Sequence, residues 1–74
     1  MINIGIKIDV LEVLQKDHSL NDTELAVKMG IDRTQLWRVK TNRSIPGEGF
    51  IAKLLALFPD KKFEDLFFLK KVSH

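Results

Sequence analysis

The sequence predicts a mainly α domain of five short helices arranged around a helix-turn-helix, with the chain ends offering material for a small sheet. Three observations lead there. Two helix starts follow in close succession, at Asn21 and Asp32, with Met29-Gly30 between them as a stop. Apolar residues recur at helical spacing on both sides of that unit. At the first residues the period changes to two, which is strand spacing.

Taken in order, Ile2, Ile4, Ile6 and Ile8 alternate with Asn3, Gly5 and Lys7, and a β-branched residue at every other place argues for a short strand. From Asp9 the pattern turns helical through Val10, Leu11, Val13 and Leu14. A first helix is expected over about Ile8 to Lys16, ending before Asp17-His18-Ser19. His18 is read as a turn residue, because no second His or acid stands at ligand spacing from it.

The central unit covers about residues 22–42. Asn21 can cap the second helix, Glu24 can reach back to close a capping box, and Leu20 can staple onto Leu25. The same grammar recurs with Asp32 as cap, Gln35 closing the box and Ile31 stapling onto Leu36. Gly30 between them takes a left-handed conformation without strain. Leu25, Ala26, Met29, Ile31, Leu36 and Val39 are the apolar positions, with Ala26 small where the helices should cross. Opposite the Leu36/Val39 stripe lie Thr34, Arg38 and Thr41, flanked by Arg33 and Trp37. Trp37 sits about 130° from the stripe centre at helical spacing, which predicts partial exposure and a stack on Arg33 one turn back.

After Asn42, the segment Arg43-Ser44-Ile45-Pro46-Gly47 reads as a loop, since Pro46 disfavours helix at Ile45. A fourth helix is expected over Glu48 to Leu57; apolar nearly all round, it should be the most buried. Pro59 ends it, and Asp60 can cap a short fifth helix over Lys61 to Leu66. The apolar tail Leu66 to Val72 either continues that helix or forms a strand pairing with Ile2 to Ile6; both alternatives stand at this point.

Length bounds the rest. Seventy-four residues make one domain, 1–74, with no room for a second, effector-sensing unit, so no small-molecule effector is expected. No apolar run approaches the roughly 18 residues of a membrane span, and no signal peptide is visible, so no membrane partner is expected. The absence of Cys excludes disulfides and thiolate metal sites and fits a cytoplasmic protein. With no nucleotide-binding glycine motif and no His–carboxylate pair at ligand spacing, we expect no enzyme activity, no catalytic residue, no cofactor and no metal. Net charge is only +2, but all three arginines, Arg33, Arg38 and Arg43, fall in one stretch with Lys40. No Asp or Glu occurs from Arg33 to Gly47, which favours a polyanionic partner.

Leu25-Ala26, Gly30-Ile31, Leu36 and Val39 at these spacings, followed by Asn42, Ile45-Pro46, the apolar run Phe50 to Phe58 and Glu64-Asp65-Leu66-Phe67, resemble the lambda-repressor and Cro family of phage and bacterial (XRE-type) regulators. The resemblance covers roughly Val10 to Phe68. Two features depart from it. Where the family commonly pairs an Arg late in helix 1 with a Glu late in the recognition helix, Gln15 and Lys40 stand here; and Asn42 replaces the usual closing Gly. The resemblance implies a Cro-like repressor on a palindromic double-stranded DNA operator. The apolar surplus of the fourth helix with Phe63, Phe67, Phe68, Leu69 and Val72, more than so small a domain can bury, predicts a homodimer through the C-terminal third. The resemblance assigns base contacts to Arg33, Thr34 and Arg38, with Trp37 beside them. Phosphate contacts fall to Asn21 and Thr23 at the start of the second helix and to Lys40, Thr41, Asn42, Arg43 and Ser44 after the recognition helix. Asp22 in that setting would repel phosphate. The rival expectation is a protein-interaction module on the same fold, an antitoxin-like or anti-repressor component.

Overall fold

The computed structural model describes residues 2–71. Strand β1 (Ile2–Ile6) is followed by helices α1 (Ile8–Asp17), α2 (Asp22–Met29), α3 (Arg33–Lys40), α4 (Glu48–Leu57) and α5 (Phe63–Leu66), and then by strand β2 (Phe67–Lys71). The chain is thus mainly helical with one small sheet. Of the two alternatives for the tail, the strand is the one formed. β2 runs antiparallel to β1, Ile6 facing Phe67 and Ile2 facing Lys71. Gly5 faces Phe68, whose ring lies so close that a Cβ at Gly5 would collide with it.

Local chemistry sets the helix boundaries. Asn21 Oδ1 accepts from the Glu24 N–H at 2.8 Å, and the Asn21 N–H donates to Glu24 Oε1 at 3.2 Å, so the expected capping box is complete. At α3 the box is only half made, which corrects the expectation for Gln35. Asp32 Oδ1 takes the Thr34 N–H at 3.2 Å, and Gln35 stays exposed without bonding back. Helix α5 is shorter than expected and starts differently. Its opening bond runs from the Lys62 N–H to Asp65 Oδ2 at 2.9 Å, so Asp65 rather than Asp60 satisfies it. A lysine ammonium has no lone pair to accept with, so no reciprocal cap forms there.

Three helices end alike. In each, a residue with positive φ turns the chain back so that two N–H groups reach the last turn: Ser19 at 54°, Gly30 at 72° and Asn42 at 61°. After α1 the Ser19 and Leu20 amides donate to Lys16 and Gln15; after α2 those of Gly30 and Ile31 donate to Val27 and Ala26. After α3 those of Asn42 and Arg43 donate to Val39 and Arg38. This is the Schellman closure. Asn42 fills the glycine's place because its short polar side chain tolerates the left-handed region.

The core gathers one face from each element: Ile6, Leu11, Leu14, Leu25, Ala26, Met29, Leu36, Val39, Phe50, Leu54, Phe58, Leu66 and Phe67. α2 packs on α3 and on α4, which leaves α3 lying across the surface with one side in water. The expectation that α4 is the most buried helix is corrected. Only Phe50 and Leu54 of α4 are buried, while Ile51, Leu55 and Leu57 are partly covered. In so small a domain no second layer exists to cover the far side of a helix that is apolar all round.

A candidate nucleic-acid interface

Helix α3 is held by Leu36 and Val39, at 0% and 2% exposure, and its other side chains except Lys40 stay exposed. Arg33, Thr34, Trp37 and Arg38 are all exposed, as expected for the four base-contact candidates. Three of them converge with Asp22 on an open recess of about 270 Å³: Arg33, Thr34 and Trp37. Arg38 lies on the same outward side but does not line the recess. Among the described residues the guanidinium groups of Arg33 and Arg38 make no hydrogen bond and no salt bridge, so their donors are free.

Asp22 sits where a carboxylate would be most awkward for an approaching phosphate, and the structure supplies its counter-charge. Asp22 Oδ1 accepts from Gln15 Nε2 at 2.9 Å and from Lys40 Nζ at 2.8 Å, while Gln15 Oε1 accepts from the same ammonium at 2.9 Å. The Gln15 hydrogen bond, then the one from Lys40, hold the Asp22 carboxyl below its ordinary value. Partial burial pushes the other way, and the charges of Lys40 and Arg33 add to the lowering. Lys40 is therefore corrected as a phosphate contact. Its side chain is 14% exposed and turned inward, joining α3 to α1 and α2. The two departures from the family pairing, Gln15 and Lys40, thus belong to one polar cluster closed by Asp22.

The other phosphate candidates divide. Asn21 spends its side chain and its N–H on the capping box, whereas Asp22 and Thr23 at the first helical positions keep N–H groups without an internal acceptor. Thr41 is exposed, and its Oγ1 donates to the Trp37 carbonyl at 2.8 Å. Asn42 and Ser44 present exposed side chains with no internal hydrogen bond. Arg43 is placed otherwise than expected: its guanidinium carbon lies 4.9 Å from the centroid of the Trp37 ring, the position anticipated for Arg33. The Schellman closure at Asn42 brings it there by folding the chain back over the last turn of α3.

Gln15, singled out in the sequence only as a departure from the family pairing, is buried at 7%, the one charged or polar residue in the core among the described residues. No local pattern marks it, because its partners are 7 and 25 residues away and meet it only after the helices pack. Among the described residues no group of His, Cys, Asp and Glu is placed to hold a metal ion, and no helix is long and apolar enough to cross a membrane. A scan against family models gives no match for this chain, and searches of curated proteins and of solved structures give none either.

Proposed function

We propose that this protein is a sequence-specific, double-stranded DNA-binding transcription regulator of the lambda-repressor and Cro type, a cytoplasmic repressor acting by occupancy of its operator as a homodimer. The observation that carries the reading is the outward side of α3. It presents Arg33, Thr34 and Arg38 with unspent side-chain donors; of the acids nearby, Asp22 is paired with Lys40 and Asp32 caps the helix through the Thr34 N–H. A single helix with this equipment matches the width of the B-DNA major groove, where arginine can bond guanine O6 and N7 together and a threonine methyl can meet that of thymine. The free amides of Asp22 and Thr23, with Arg43 and Ser44, lie at the two ends of that helix pair and suit the flanking phosphates.

Selection from a random duplex pool, followed by a salt titration on the winning sequence, tests this. About three phosphates neutralised per protomer give a slope of log K on log salt near −5 for a dimer. No enrichment, or binding insensitive to salt, overturns the reading. The rival, a protein-interaction module, draws on one specific feature: Ile2 and Leu69, at the end and the middle of the β1–β2 ladder, are each 64% exposed. A stable heterologous partner seated on those two residues, together with failed selection, would establish it.

A further inference from the structure

Trp37 is the only tryptophan and there is no tyrosine, so one indole stands at the edge of the recognition surface with 47% of its area exposed. A single exposed apolar side chain is ordinary, so exposure alone assigns this ring no role. Its neighbour does. Arg43 is the only cation with its guanidinium over an aromatic ring among the described residues, 4.9 Å from the centroid. The backbone that carries it is fastened at two points: the Arg43 and Ser44 amides both donate to the Arg38 carbonyl, at 2.8 and 3.1 Å. Thr41 Oγ1, bonded to the Trp37 carbonyl, ties the intervening turn to the same helical turn. A residue in a loop after a helix would ordinarily sweep a wide arc. This one has a fixed backbone and a fixed head.

The fixing costs Arg43 none of its hydrogen-bonding capacity. Among the described residues its guanidinium has no hydrogen-bond acceptor and no carboxylate partner, so the ring face holds the cation while the N–H groups stay free. A carboxylate in the same role would have taken two of the five donors and cancelled the charge. We infer that Trp37 is a positioning residue for Arg43: it does not read a base but pre-orders the guanidinium, so that DNA phosphate meets an anchor already in place. The gain is the side-chain entropy that a free arginine would lose on binding. The inference rests on the DNA-binding reading and reassigns Trp37 within it.

The test uses the full chain and the duplex selected from the random pool. In the free protein, Arg43→Ala should change the emission of the single indole, showing the contact without any DNA. On the duplex, Trp37→Ala should lose about two- to fivefold in affinity per protomer. Combining it with Arg43→Ala should add nothing to the loss from Arg43→Ala alone. Trp37→Phe, which keeps a ring face, should bind near wild type, and base preferences of all Trp37 variants should be unchanged. Multiplying losses in the double variant, or a Trp37→Ala protein that changes its preferred base, overturn the inference while leaving the DNA reading in place. Should the wild-type chain bind no duplex at all, both fall together, an outcome separable from the first by the selection itself.

Discussion

Lys40 owes its orientation to two partners on different helices, Asp22 and Gln15, and through them ties the far end of α3 to the rest of the domain. Replacing it with Met keeps the stem but leaves the half-buried carboxylate without its cation, so Lys40→Met should destabilise by about 1–2 kcal/mol in urea unfolding. The same pair makes stability depend on pH. The Asp22 pKa in the folded protein lies below its ordinary 3.8, so the stabilisation is present above that value and drains away as pH falls through the lower, folded one. A pH titration of the unfolding midpoint should show a loss below about pH 4 that Asp22→Asn reduces. Backbone conformation offers a second test at this scale. A Cβ at Gly30 would meet nothing within 4 Å, so Gly30→Ala isolates the cost of φ 72° and should lose about 1 kcal/mol. Ser19 already carries that cost at φ 54°, so Ser19→Gly should gain up to about 1 kcal/mol.

At the scale of elements, the starts and stops of α1 to α4 were legible because their signals are local. Asn21 and Glu24, Gly30, Asp32, Asn42 and Pro59 each act within a few residues of the boundary they mark. What was not legible depends on neighbours distant in sequence. The swap of Arg43 for Arg33 over Trp37 follows from the turn at Asn42, not from helical spacing. The inward Lys40 follows from helix packing. The overestimated burial of α4 came from judging a helix by its composition when the number of layers around it decides the matter. On α3 itself the prediction is direct. Arg38→Ala should weaken binding to the selected duplex by about 1–3 kcal/mol and relax one base pair per half-site, whereas Arg43→Ala should weaken all sequences alike. Reversal of those two patterns in a repeated selection would exchange their roles.

For the molecule as a whole, the proposed homodimer must use what the fold leaves uncovered. Phe67 is excluded by its own burial, at 1% exposure, with Phe63 stacked on it at 5.3 Å between ring centroids. Val72 lies outside the described residues. In the C-terminal third Phe68 and Leu69 remain, with the partly covered Ile51 and Leu55 on α4 and the exposed Ile2 on the paired strand. Leu69→Glu should therefore leave the fold intact and move sedimentation and operator binding towards the monomer. An unaltered dimer would place the interface elsewhere.

The pairing of β1 with β2 also has a kinetic meaning. It joins residues 61 to 69 positions apart, so closing it early would cost the loop entropy of nearly the whole chain. Helices α2 and α3 meet across a three-residue turn and need no such closure. The helices should therefore assemble first, and the ribbon should zip onto a body that has already brought the two strands together. A methyl group at Gly5, displacing the Phe68 ring, then acts after the rate-limiting barrier. Gly5→Ala should hasten unfolding and leave the folding rate nearly untouched in stopped-flow measurements, and a slowed folding limb would put the ribbon in the nucleus instead.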